Sequence, residues 1–182
     1  MTAPELVYGD DLPLGEVLDL GTHTVEDGEI VDFASRWDPL AIHTDAEIAA
    51  GGPFGGLIAS GIHTAAILQR LAVSSHYSRW AIVAGREIRS MRMLRPVRTG
   101  DTLAGSLVPV SRTAAARGRV AVLFEARLAN QDGKDVLALE IEIVMLARPA
   151  QDQLQHGGMP AQRGRDVPDR DGDASMTMSD DE

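Results

Sequence analysis

SGIHTAAILQRLAVSS, residues 60–75, decides the fold. Ser60 suits the cap position of a helix, because its hydroxyl can accept an amide left unpaired in the first turn. From Gly61 to about Ser74 the apolar residues Ile62, Ala65, Ala66, Ile67, Leu68, Leu71, Ala72 and Val73 cover most of the helical circumference. A helix apolar on nearly every side must be buried, so other elements have to wrap around it.

The wrapping is downstream. Residues 80–94, 102–111, 118–129 and 135–147 read as strands, the last with clear alternation over Leu137-Ala-Leu-Glu-Ile-Glu-Ile143. NQDG at 130–133 is a hairpin signal, because Asp132-Gly133 suits a turn with positive backbone dihedrals. RTGD at 98–101 is a second turn, and Pro109 requires a sheet edge or a bulge. One buried helix followed by long antiparallel strands predicts an α+β fold in which a curved sheet encloses the helix. Neither an internal repeat nor an interdomain linker is visible.

Upstream, GEVLDL (15–20) reads as a short strand. Thr24-Val-Glu-Asp27 has the form of a capping box for a helix over about Glu26 to Arg36, with Ile30, Val31, Phe33, Ala34 and Trp37 at helical spacing. Pro39 stops it, which leaves Asp38 in a turn just beyond the helix end. Thr44-Asp-Ala-Glu47 offers another capping box for a short helix through Ala50, and GGPFGG (51–56) breaks the chain again.

Composition narrows the function. The 182 residues fit one domain, assigned to residues 1–150, with 18 Gly and no Cys, which excludes disulfides, thiolate metal sites and thiol nucleophiles. A net charge of -10 argues against a nucleic-acid binder. Half of that excess falls in residues 151–182, where eight acids and three arginines give -5, so this Gly/Pro/Asp-rich tail is expected to be disordered. MTAPELVYGDDLPLG shows neither the basic nor the apolar region of a leader, and no apolar run approaches the ~18 residues needed to span a bilayer, so a cytoplasmic protein without membrane partners is expected.

Chemistry concentrates in WDPLAIHTDAE, residues 37–47. Asp38 and His43 lie five residues apart on an irregular segment, and such a pair can hold a water and move its protons, as addition of water to an activated double bond requires. The alternative is an Asp that ends a helix and a His that fills a pocket. GGLIASGIHTAA (55–66) leads through Ala59, Ser60 and Gly61 into a helix N-terminus able to stabilise an oxyanion such as a thioester enolate. Its glycines could instead serve only close packing.

His43-Thr-Asp45 has the form of an iron-binding pair, but His63 opens a helix and His156 lies in the tail, so no metal is expected. Ser60 and His63 lack the elbow and the orienting acid of a nucleophile site. Arg86, Arg89, Arg92, Arg95 and Arg98 recur at every third position. On a regular strand Arg86, Arg92 and Arg98 face one way and Arg89 and Arg95 the other, a local cationic strip suited to phosphates or simply a solvated, salt-bridged face.

FASRWDPLAIHTD, PFGGLIASG, LRPVRTGDTL and NQDG, in this order, resemble the MaoC-like dehydratases, relatives of the (R)-specific enoyl-CoA hydratases, over residues 12–148. The resemblance implies a hot-dog fold, a homodimer with its active site near the subunit interface, and an acyl-CoA (or acyl-carrier-protein) substrate with no cofactor. It implies Asp38 and His43 as the catalytic dyad and the Gly61 N–H as the oxyanion donor. It places Ile42, Phe54, Leu57 and Ser60 at the acyl group and Arg95 among the arginines that meet the CoA phosphates. Two positions depart from the family pattern: Leu40 stands where Asn is usual, with proline moved to position 39, and Ser60 stands where His is usual. A hot-dog thioesterase would carry a carboxylate on or near the buried helix, and residues 61–74 contain none. A non-catalytic acyl-CoA-binding protein is the remaining alternative.

Overall fold

Ser60 caps the central helix α4 (Gly61–Ser75), its Oγ accepting the Ile62 amide at 3.2 Å. The computed structural model describes residues 6–26 and 28–149. Strands β1 (Leu18–Thr24), β2 (Ile82–Met93), β3 (Thr102–Ala115), β4 (Arg119–Ala129) and β5 (Asp135–Leu146) form one antiparallel sheet in the order β1-β3-β4-β5-β2. Ile67, Leu68, Leu71 and Ala72 of α4 pack into its concave face against Leu103, Leu107, Phe124, Leu128 and Leu137. Each large side chain so buried stabilises the fold by about 1.5–3 kcal/mol. This is the hot-dog architecture, an α+β fold.

Glycine sets how closely helix and sheet approach. A β-carbon on Gly105 of β3 would meet Leu20 Cβ at 3.0 Å and Leu71 Cδ1 at 3.1 Å. The predicted turns are present: Gly133 has φ 71°, and Asn130 Oδ1 accepts the amides of Asp132 at 3.2 Å and Lys134 at 3.0 Å. Gly100 has φ 86° in the turn after Arg98. The β3–β4 register shifts between Pro109 and Ser111, the bulge that proline requires.

Several local expectations fail for reasons of pairing. β1 begins at Leu18 and runs on to Thr24, whose hydroxyl bonds Thr102 Oγ1 at 3.0 Å, so Thr24 belongs to the sheet and caps nothing. Helix α1 (Glu29–Trp37) starts after Gly28, with φ 82°, and the Glu29 carboxylate takes the Glu26 amide at 3.0 Å; Asp27 lies outside the described residues. The segment expected to be irregular contains a helical turn, α2 (Ala41–Thr44), which carries His43. Asp45, not Thr44, caps α3 (Ala46–Ala50), accepting the amides of Glu47 at 3.0 Å and Ile48 at 2.9 Å.

The arginine alternation also fails. Register shifts between Gly85 and Glu87 and between Ile88 and Ser90 change the phase of β2, and Arg86 and Arg89 both reach the buried Glu142 of β5. Nor is α4 enclosed on every side within one chain. Ile62 is 52 % exposed and Val73 42 % exposed, with Ala66 between them on the same stripe. No helix among the described residues is long and apolar enough to cross a membrane. The expected tail, residues 151–182, lies outside the described residues.

Candidate active site

Asp38 sits where α1 stops: its N–H still bonds the Ala34 carbonyl at 2.9 Å, while its own backbone has left the helix. The chain turns through Pro39, and α2 brings His43 back beneath it. Burial of His43 is nearly complete, at 5 % exposure, and its Nδ1 lies 2.7 Å from the Ile58 carbonyl. A carbonyl can only accept, so Nδ1 carries the proton and Nε2 is left to face Asp38. The Nε2–Oδ2 separation is 3.7 Å. That is too long for a direct hydrogen bond, and a water about 2.8 Å from both atoms would lie to one side of the line that joins them.

The same Asp38 Oδ2 receives a 2.6 Å hydrogen bond from Ser60 Oγ. Ser60 is fully buried and accepts the Ile62 N–H, so one hydroxyl joins the carboxylate to the first turn of α4. Among the described residues the Gly61 N–H meets no acceptor. It belongs to the positive end of a fifteen-residue helix. The segment before it is held rigidly, with Ala59 N–H on the Val97 carbonyl at 2.7 Å and Ile58 N–H on the Ile42 carbonyl at 3.4 Å.

Beside this segment lies a cavity of about 210 Å³, lined by Phe54, Ile58, Ala59, Thr64, Met93 and Arg95 among others. Of the residues expected at the acyl group, Phe54 lines it and Ser60 touches Asp38. Ile42 and Leu57 are half-buried and do not line that cavity, and their carbonyls serve the scaffold, Leu57 accepting from Arg98 at 3.4 Å. Arg95 lines the cavity and donates to the Asp135 carbonyl. The five arginines do not act as one strip: Arg86 and Arg89 hold Glu142, and Arg98 pins the Phe54 and Leu57 carbonyls. No group of three or more His, Asp or Glu side chains among the described residues is arranged to hold a metal ion.

The reading from sequence missed Ser60 as a partner of Asp38 and the Ile58 carbonyl as the group that orients His43. Ser60 could be read as a helix cap, but nothing local shows what lies against its free face, 22 residues away along the chain. Chemically, the assembled group can hold one water between a carboxylate and an imidazole, pass protons through either, and offer an amide to a developing oxyanion.

Residues 12–127 match the family model described as the MaoC like domain. The protein YdeM of Bacillus subtilis (strain 168), itself uncharacterised, is 32 % identical over 139 residues, covering 76 % of this chain and 97 % of that one. The crystal structure of a MaoC-like dehydratase from Rhodospirillum rubrum superposes with a TM-score of 0.71 at 33 % identity, covering 79 % of this chain and 99 % of the other. An Archaeoglobus fulgius protein, described as a monoamine oxidase regulatory protein, gives a TM-score of 0.75 at 28 % identity over 82 % of this chain and 100 % of its own. The chain therefore belongs to the MaoC-like dehydratase family.

Proposed function

We propose that the protein reversibly hydrates a 2-enoyl-CoA, or the same acyl group on an acyl-carrier protein, to the (R)-3-hydroxyacyl thioester. The observation that carries this reading is the approach of Asp38 Oδ2 to His43 Nε2 at 3.7 Å, with Ser60 tying that carboxylate to the N-terminus of α4. In the hydration direction a water held by the dyad loses a proton as its oxygen bonds C3. The dyad returns a proton to C2 on the same face, and the Gly61 N–H stabilises the negative charge that builds on the thioester oxygen. Two coupled groups share this proton traffic, so the base is the pair and not one member. Phe54 supplies a wall for the acyl chain and Arg95 a cation for the phosphates. The balance of atoms needs water alone, with no redox partner.

The working form is a cytoplasmic homodimer, which the exposed stripe Ile62, Ala66 and Val73 on α4 supports. The test follows the enoyl absorbance over short, medium and branched trans-2-enoyl-CoAs, with a thiol assay run in parallel. Turnover without thiol release is expected, falling about 10²- to 10⁴-fold in Asp38→Asn. Thiol release would make the protein a thioesterase. Tight acyl-CoA binding without turnover on any substrate would make it a binding protein.

A further inference from the structure

A second polar cluster lies behind the site, between α1, α4 and β1. His63 Nε2 lies 3.0 Å from Glu29 Oε1, and His23 Nε2 lies 2.9 and 3.0 Å from the two Glu29 oxygens. The Phe33 and His63 rings stack with centroids 4.5 Å apart and planes 11° from parallel. His63 is 3 % exposed, and its Nδ1 is buried with no hydrogen-bond partner. An orphaned buried nitrogen is destabilising, so an apolar ring would suit packing at position 63 better. What the imidazole adds is an N–H for Glu29.

The two residues so joined belong to the elements that build the site, Glu29 at the end of its helix far from Asp38 and His63 at the end of its helix that carries Ser60. Glu29 begins α1 and Asp38 ends it; His63 lies in the turn of α4 that opens with Ser60 and Gly61. α1 is nine residues long, or about 14 Å at 1.5 Å per residue. A tilt of about 4° about its start therefore moves Asp38 by about 1 Å, a displacement of the order that costs a hundredfold in rate. We infer that Glu29 and His63 are positioning residues, whose link sets α1 against the first turn of α4 and so fixes Asp38 relative to Ser60 and the Gly61 N–H. The consequence for catalysis rests on the hydratase reading; the geometric consequence does not.

His63→Phe keeps a ring on Phe33 and removes the N–H, whereas Glu29→Gln keeps an acceptor oxygen that Glu29→Ala lacks. Turnover, thermal unfolding and amide hydrogen exchange are measured on the full chain. His63→Phe and Glu29→Ala are expected to lower kcat about tenfold to a hundredfold with KM within about twofold of wild type, and Glu29→Gln to recover most of the loss. The Asp38 amide should exchange at least about tenfold faster in His63→Phe, with the β4 core amides unchanged. Wild-type kcat with unchanged Asp38 exchange in His63→Phe would overturn the inference. So would faster exchange spread evenly over the chain, which marks general destabilisation. If the wild type turns over no thioester, the hydratase reading falls and the exchange measurement alone decides the link.

Discussion

Ser60 performs two tasks with one oxygen. It accepts the Ile62 amide as a helix cap and donates to Asp38 at 2.6 Å. The tasks separate by substitution, because glycine is nearly as good a cap as serine while alanine costs about 0.5–2 kcal/mol. Ser60→Ala is expected to lower both stability and kcat/KM. Ser60→Gly is expected to lower kcat/KM by about tenfold or more, the worth of one hydrogen bond to a charged group, with a smaller loss of stability than Ser60→Ala because the cap is kept. Urea unfolding beside steady-state kinetics on both variants checks this; wild-type kcat/KM in Ser60→Gly would show the cap to be the whole role. Asp38 and His43 were legible because both lie on one short segment with a recognisable spacing. Their partners, Ser60 and the Ile58 carbonyl, come from a segment that meets them only in three dimensions.

Elements show where local patterning stops governing structure. The β2 alternation predicts Arg86 and Arg89 on opposite faces, but two of the three register shifts against β5 fall at these residues, and both reach Glu142. Register is a property of two strands, so one strand's sequence does not reveal the phase change. Because either guanidinium can compensate one carboxylate, Arg86→Ala and Arg89→Ala are expected to be mild alone and worse than additive together, with a coupling of about 0.5–1 kcal/mol in a double-mutant cycle. Exact additivity would mean that the two arginines act independently of Glu142. Gly105 sets the contact of β3 with α4, and its two nearest neighbours there, Leu20 and Leu71, are themselves core residues. Gly105→Val is expected to cost about 1–3 kcal/mol through overpacking, read from the denaturant midpoint.

For the molecule as a whole, acid should weaken the fold through two carboxylates. Hydrogen bonding from Arg148 holds Asp11 below its ordinary range against the opposing effect of burial, and it ties the N-terminal segment to the chain beyond β5. Burial pushes Glu29 up, but the Glu26 amide and the two imidazoles outweigh it and leave it lowered. A carboxylate with a depressed folded value contributes stability above its unfolded value and loses it as the pH falls through the folded one. The urea midpoint should therefore drop below the ordinary carboxylate range, from about pH 4 downward, and the drop should be shallower in Asp11→Asn. An identical pH slope in that variant would rule Asp11 out. The proposed homodimer makes a separate prediction through the exposed stripe of α4: Val73→Glu should leave a monomer in sedimentation velocity, because a charge would have no partner in an apolar interface.

The sequence by itself determined the elements whose signals are local and strong. These are the apolar helix after Ser60, the four long strands, the NQDG turn and the helix stop at Asp38; at Pro109 the sequence left a sheet edge and a bulge both open. Periodicity, proline and glycine act over a few residues and can be read from them. Only the tertiary structure decided that Thr24 joins β3 instead of capping α1, that bulges bring two arginines to Glu142, and that Ser60 hydrogen-bonds Asp38. It also decided that one stripe of the central helix stays uncovered by its own sheet. Each of these depends on a partner far along the chain, and the energy of pairing, packing or charge neutralisation there outweighs the weak local preference.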